Sequence, residues 1–244
     1  MEIYIIPFMV TVFSFGGLFL GGTIGIVTKQ VLEEKMYSLY AFCGGVLAGI
    51  LCLELIPETF SEQPPIGPVL GVGIGFLFMM LIHTLFHGNK VRDENQQALQ
   101  AFGFLSLAIC IHNIPTGIAI GSALTSNNEV SSSLLLAIIF HHIPEGLSLM
   151  VPFLFTQSKL APFLVMIFLL SVVLGAGTML GGFVQNEVKH LESVIMGSAI
   201  GMLGYIAISE MLWKAKQNMT LFSFSIFASA GLVIVKIFEF LMHH

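Results

Sequence analysis

The sequence predicts an all-α polytopic membrane protein, and two observations lead to that fold class. Of its 244 residues, 56% are hydrophobic and only 9% are charged, whereas a soluble domain carries about 25% charged residues. The chain also contains eight apolar windows, each near the roughly 20 residues that a helix needs to cross ~30 Å of hydrocarbon. Helices satisfy their backbone hydrogen bonds internally, as lipid requires. We therefore expect eight transmembrane helices.

The eight windows divide the chain into predicted spans joined by short polar connections. They cover residues 3–27, 37–57, 66–87, 98–124, 130–155, 160–184, 194–213 and 221–242. The first window begins without a basic leader or a small-residue cleavage pattern, so we expect it to remain as a helix. The sequence shows no separate soluble domain and no low-complexity linker. We expect residues 1–244 to form a single transmembrane domain of the cell membrane.

Orientation follows from the positions of the basic residues, because short loops rich in Lys and Arg stay cytoplasmic. If the N-terminus is outside, the cytoplasmic connections hold Lys29, Lys35, Lys90, Arg92, Lys159, Lys214 and Lys216. The outer connections hold Lys189 together with the acids Glu58, Glu62, Glu129, Glu187 and Glu192. We therefore predict that both termini are extracellular and that the outer face attracts cations. The net charge of −5 argues against a nucleic-acid partner.

The first three spans carry few ionisable groups. Glycines from Gly16 to Gly25 give the first span a small-residue surface for helix packing. In the second, Glu54 lies about a turn deeper than Glu58, and it either contacts an entering cation or reaches headgroup water. The third closes with His83 and His87, which lie on one face because they are four residues apart. This pair is either a metal chelate or two ordinary interfacial histidines.

The fourth and fifth spans contain a near-repeat. HNIPTG at 112–117 and HHIPEG at 141–146 share His, Ile, Pro and Gly at matching positions. Both motifs lie about halfway along their spans, so antiparallel packing of the two helices would bring them together near the bilayer midplane. Midplane polar groups of this kind are typical of a transport site.

The helical period decides which of these side chains share a face. Side chains four apart stack, so His112 lies over Thr116 and His141 over Glu145, while Asn113 and His142 are turned about 100° aside. Imidazole and carboxylate groups in a low-dielectric medium are costly unless paired, and a divalent cation would satisfy them together. The alternative is neutral histidines bonded to neighbouring carbonyls and serving only packing.

The last three spans add one acidic side chain. The sixth contains LSVVLGA at 170–176, with no carboxylate in that run. The seventh has Glu210 near its predicted cytoplasmic end, opposite in depth to Glu54, as an inverted repeat would place them. Glu210 is either part of a cation path or an acid whose side chain reaches water.

The paired motifs carry a family resemblance. HNIPTG followed by HHIPEG resembles the HNxPEG and H(N/D/H)xPEG motifs in the fourth and fifth helices of the bacterial-type ZIP (Zrt/Irt-like) metal transporters. The second span, LCLELIPE, resembles that family's second helix. Thr116 departs from the pattern, because the family usually has an acidic ligand there. The resemblance implies a 3+2+3 inverted-repeat bundle of eight helices with both termini extracellular, and it makes a homodimer a family-level expectation.

The resemblance also implies roles for the polar residues. The family's primary metal site corresponds to His112, the Thr116 position, His141 and Glu145. Asn113 and His142 remain from the usual ligand set of a second metal, but Val172 and Val173 stand where the sixth helix usually offers a carboxylate. The same fold would place Glu54 at an entrance and would gather Glu210, His83 and His87 at an exit.

The resemblance implies a transporter rather than an enzyme, with divalent metal ions and the lipid bilayer as its partners. Imidazole nitrogens with one carboxylate favour Zn²⁺ as the substrate, then Fe²⁺, Mn²⁺, Co²⁺ or Cd²⁺. We expect import into the cytoplasm through the midplane site by alternating access. The chain has no GxxxxGK[ST] loop and no HExxH pattern, which argues against a P-loop ATPase and an intramembrane zinc protease. The remaining alternative is a non-transporting ZIP-like sensor or scaffold.

Overall fold

A computed structural model describes residues 2–31, 36–86, 93–127, 132–183 and 189–242. Across these ranges the chain forms eight consecutive helices, which we name α1 to α8. Five of the first six are single elements: α1 (Glu2–Val31), α3 (Ile66–Phe86), α4 (Glu94–Asn127), α5 (Ser132–Phe153) and α6 (Ala161–Phe183). Helix α2 runs through Met36–Ile50, Leu51–Leu55 and Ile56–Glu62. Helix α7 runs through Lys189–Tyr205, Ile206–Leu212 and Trp213–Asn218, and α8 is Leu221–Met242.

The helices confirm the predicted all-α polytopic fold. Among the described residues, seven helices are long and apolar enough to cross a membrane, and α8 contributes the shorter apolar stretch Leu221–Ile237. Many large apolar side chains face outward: Ile66, Leu85 and Phe222 are 74%, 75% and 77% exposed. Such a surface is compatible with lipid. Lipid tails are as apolar as these side chains, so burying the side chains in the protein would give no hydrophobic stabilisation.

Two helices contain a π-helical segment that the hydropathy pattern does not predict. In α2 the segment is Leu51–Leu55, closed by the Ile56 N–H bonding to the Leu51 carbonyl. In α7 it is Ile206–Leu212, closed by the Trp213 N–H bonding to the Ile208 carbonyl. Such i→i+5 turns are rare and are frequently found at functional sites. The two segments hold Glu54 and Glu210.

The packing of the helices agrees with the predicted inverted repeat. The most extensive contacts join α1 to α5, α4 to α6, α3 to α7 and α2 to α8. Exchanging α1 with α6, α2 with α7, α3 with α8 and α4 with α5 converts these pairs into one another. Smaller contacts of α2 with α5 and α4 with α7 follow the same exchange. Helices α4 and α5 map onto each other, so the same exchange relates the two motifs.

Glycines hold the motif helices close to their neighbours. A Cβ placed on Gly21 of α1 would collide with the Ile143 carbonyl of α5, and one on Gly121 of α4 would collide with the Thr178 carbonyl of α6. The obstacle in each case is backbone, which cannot rotate away as a side chain can. These contacts therefore require glycine, and they fix the positions of α4 and α5 at the middle of the bundle.

Candidate metal site

The repeated motifs place their polar side chains in the interior of the bundle. His112, Asn113, His142 and Glu145 are each 1% exposed, although all four lie in apolar helices. Both helices continue through a proline of the motif, Pro115 in α4 and Pro144 in α5. Buried polar groups of this kind are costly unless something pairs with them.

Three imidazoles converge on one carboxylate. Glu145 Oε1 lies 3.4 Å from His141 Nε2 and 3.8 Å from His112 Nε2, and Oε2 lies 3.8 Å from His142 Nε2. The His112 and His141 rings are stacked, with centroids 6.0 Å apart. The sequence predicts that His141 lies over Glu145, and the structure confirms it. It also brings His112 to the same carboxylate, as antiparallel packing of the motifs predicts.

The spacing of these groups leaves room for a divalent metal ion between them. The 3.8 Å separations exceed hydrogen-bond length, whereas two donors bound to one tetrahedral Zn²⁺ at ~2.0–2.1 Å are about 3.3 Å apart. The ligand atoms of His112, His141 and Glu145 all lie within 4.8 Å of one another. His112 Nε2, His142 Nε2 and Glu145 Oε2 are buried and have no hydrogen-bond partner. A cation bound at their centre would satisfy them together.

The second histidine of α5 is fixed in one tautomer. His142 Nδ1 lies 2.8 Å from the Ile138 carbonyl oxygen. A carbonyl oxygen can only accept, so Nδ1 carries a proton, and in the neutral ring Nε2 is the nitrogen with a lone pair for a metal ion. A backbone carbonyl commonly orients a metal-binding histidine in this way.

Asn113 and Thr116 make bonds to backbone groups. Asn113 Nδ2 donates to the Leu170 carbonyl of α6 at 3.1 Å, which ties the motif to the sixth helix. Thr116 Oγ1 donates to the His112 carbonyl at 3.0 Å, the ordinary bond of a threonine inside a helix. The described residues of α6 contain no acidic side chain, and Val172 is 40% exposed.

A second polar cluster lies where α3 meets α7. His83 Nε2 is 3.2 Å from Glu210 Oε1, so the structure brings together two of the three residues predicted for an exit. The third, His87, lies outside the described residues. Glu54 is exposed in α2. Lys214 forms an ion pair with Glu210 Oε2. The sequence pattern places Lys214 among the cytoplasmic basic residues, and its position four residues after Glu210 is the signal that indicates the pair.

An all-helical membrane bundle with a buried His and Glu cluster at mid-helix defines the class of intramembrane metal-handling proteins. Residues 83–235 match the family model described as ZIP Zinc transporter, which is more than half of the chain. The chain belongs to the ZIP family, as the paired motifs predict. It is therefore a divalent-metal transporter by family and a multi-pass membrane protein.

Full-length relatives support the same assignment. The chain is 28% identical over 235 residues to zinc transporter ZupT of Chlorobium chlorochromatii (strain CaD3), covering 86% of this chain and 87% of the relative. It is 26% identical over 229 residues to ZupT of Shigella dysenteriae serotype 1 (strain Sd197), covering 87% of each. It is also 28% identical over 229 residues to ZupT of Salmonella heidelberg (strain SL476), covering 87% of this chain and 88% of the relative.

Proposed function

We propose that this protein carries Zn²⁺ into the cytoplasm through a midplane site formed by His112, His141 and Glu145. The observation that carries the proposal is the set of buried donors within 4.8 Å of one another. Relatives similar along most of the chain are named zinc transporters. Two imidazoles with one carboxylate favour Zn²⁺, whereas Mg²⁺ and Ca²⁺ take more oxygen ligands. Fe²⁺, Mn²⁺, Co²⁺ and Cd²⁺ are the competing substrates.

The site holds one metal ion with a reduced negative charge. Glu145 is the only carboxylate among the proposed ligands, so a bound dication leaves the complex at about +1. Water, Asn113, His142 or the Thr116 hydroxyl completes the coordination shell. A second adjacent metal lacks the carboxylate that α6 would need to supply. Weak binding suits transport, since the ion must also leave.

The proposed route runs from the acidic outer face to the basic inner face. The metal enters past Glu54, rests at the midplane cluster and leaves past Glu210 and His83, with His87 as a further predicted ligand. The inverted repeat favours alternating access, in which one set of helices rocks against the other around a fixed site. Metal release frees imidazole and carboxylate groups to bind protons, which offers a coupling to proton movement.

The test is uptake of Zn²⁺ into proteoliposomes that contain the full chain. We expect saturable uptake in the wild type and about 100-fold less uptake in Glu145→Ala. Loss of a residue that hydrogen-bonds to a metal ligand lowers metal affinity or activity about 10–100-fold, and loss of a ligand itself should cost at least as much. Glu239→Ala removes an acid of α8 outside the cluster and should keep wild-type uptake. Equal uptake in wild type and Glu145→Ala would refute the site.

Thr116 gives a specific reason to test a second function. Without the usual acid at this position, the fold could bind metal without moving it, as a sensor or scaffold does. No uptake by the wild type, with uptake gained in Thr116→Glu, would favour that function. Saturable wild-type uptake would exclude it.

A further inference from the structure

Glu210 has two partners, His83 and Lys214, one at each carboxylate oxygen. Its side chain is buried, and one carboxylate oxygen faces His83 Nε2 at 3.2 Å while the other pairs with the Lys214 ammonium. Lys214 follows Glu210 by one helical turn and its side chain is 36% exposed. The ammonium is therefore more exposed than the carboxylate, which is 5% exposed.

Two aromatic rings pack against His83, whose side chain is 31% exposed. The His83 ring packs edge-on against Phe104 at 5.7 Å and lies 5.9 Å from the Tyr205 ring. The buried Glu210 carboxylate, 5% exposed, interacts with charges more strongly than a carboxylate in bulk solvent does. Phe104 and His112 are both buried in α4, eight residues or about 12 Å apart along the helix and about 80° apart around it. The cluster thus lies about two turns of α4 away from the midplane site.

Without Lys214, His83 and Glu210 would form a metal trap. Their facing atoms are 3.2 Å apart, near the roughly 3.3 Å that separates two ligands of one Zn²⁺. The imidazole and carboxylate are also the donor types of the midplane cluster. An exit that binds as tightly as the transport site would hold the ion and stop turnover, since conduction requires sites weak enough to leave.

We propose that Lys214 is a tethered cation that occupies Glu210 and keeps the His83 and Glu210 pair from retaining metal. A departing metal ion displaces the ammonium from Glu210 and is then displaced by it, so the ion crosses the cluster without being trapped. This role rests on the proposed transport route, because it assumes that the ion leaves the midplane site past Glu210. Because a metal-bound imidazole nitrogen carries no proton, His83 binds the ion through Nε2 in the tautomer that carries its proton on Nδ1.

The experiment counts metal ions bound to the purified full chain by calorimetric titration with Zn²⁺ in detergent. Lys214→Met removes the charge but keeps a long side chain, and it should bind one more equivalent of Zn²⁺ than the wild type. The affinity of the His83 and Glu210 pair for Zn²⁺ should be about tenfold higher than in the wild type. Removing a competing ion pair of about 1.4 kcal/mol has this effect. Lys216→Met is the matched control, because the Lys216 ammonium lies 5.7 Å over the Trp213 ring rather than on Glu210.

Double variants separate this proposal from the transport site. The added equivalent should vanish in Lys214→Met/Glu210→Gln, persist in Lys214→Met/Glu145→Ala, and be absent from the charge-keeping Lys214→Arg. Equal stoichiometry in wild type and Lys214→Met overturns the role of Lys214, even when Glu145→Ala removes midplane binding. If Glu145→Ala binds Zn²⁺ with the same stoichiometry and affinity as the wild type, the midplane site is refuted instead. Lys214→Gln carries the same expectation if Lys214→Met does not run as a folded protein on size exclusion.

Discussion

At the scale of single residues, Glu145 sets the charge and the shape of the midplane site. Its two oxygens face different histidines: Oε1 faces His141 and His112, and Oε2 faces His142. One carboxylate therefore organises donors from both motif helices. Since no second acid is close to it among the described residues, substitutions that add charge or remove one imidazole should change metal binding in different ways.

Adding an acid at position 116 should tighten metal binding. Thr116→Glu places a carboxylate one turn from His112, so the site would hold a dication with two negative charges. We expect the affinity for Zn²⁺ to rise about tenfold or more, as a charge-assisted interaction of about 1.4 kcal/mol or more would give. Calorimetric titration in detergent measures it. Thr116→Gln has the same size without the charge and should not show the gain. Unchanged or lower affinity in Thr116→Glu would contradict the charge argument.

The two histidines of α5 should contribute unequally. His141 faces the same Glu145 oxygen as His112 does, whereas His142 faces the other oxygen. We therefore expect His141→Ala to weaken Co²⁺ binding about 100-fold and His142→Ala only about tenfold, the range for a group that orients ligands. The absorption of bound Co²⁺ reports both affinity and coordination. Equal losses would indicate that His142 binds the metal directly.

At the scale of helices, close packing of α1 on α5 supports the site. Gly21 of α1 meets the Ile143 carbonyl, which lies between His141 and Glu145 in the chain. A methyl group there must push the two helices apart, because the obstacle is backbone. The position of Glu145 relative to His112 therefore depends on a residue that touches neither of them.

Gly21→Ala should lower stability and weaken metal binding together. Gly16 in the same helix has nothing within 4 Å of the position that a Cβ would take, so Gly16→Ala is the matched control. Alanine is favoured over glycine in a helix by roughly 1 kcal/mol, so the control should keep or raise the melting temperature. For Gly21→Ala we expect a loss of about 1–3 kcal/mol from forced overpacking. Thermal unfolding in detergent compares the two, and equal melting temperatures would show that the contact is not restrictive.

Sequence patterns predict some of these helical features and miss others. Hydropathy predicts the eight spans because apolar length decides membrane crossing, and the 3.6-residue period predicts that His141 lies over Glu145. Neither signal contains the i→i+5 turns around Glu54 and Glu210. Hydropathy averages over a window and is insensitive to one added residue in a turn. The distance between His112 and Glu145 depends on which glycine of one helix packs against which carbonyl of its neighbour. The sequence alone does not specify these contacts between helices.

At the scale of the whole molecule, the inverted repeat is symmetric in packing but asymmetric in its acids. Glu54 and Glu210 occupy corresponding π-helical segments, yet Glu54 is exposed whereas Glu210 is buried against His83 and Lys214. In the proposed alternating access, one set of helices rocks against the other around a fixed site. The two acids are proposed to lie on opposite sides of that site, and the orientation of the chain decides which of them faces the cytoplasm.

The distribution of basic residues predicts that orientation, and labelling of single cysteines measures it. In a background without Cys43, Cys52 and Cys110, Lys159→Cys lies in the exposed connection between α5 and α6. We expect a membrane-impermeant maleimide to label it in inverted vesicles and not in intact cells, because short loops with Lys stay cytoplasmic. Gln63→Cys, between α2 and α3, is the control for the other side and should be labelled in intact cells. The reverse pattern would turn the acidic face toward the cytoplasm, and the proposed direction of transport through Glu54, Glu145 and Glu210 would then be wrong.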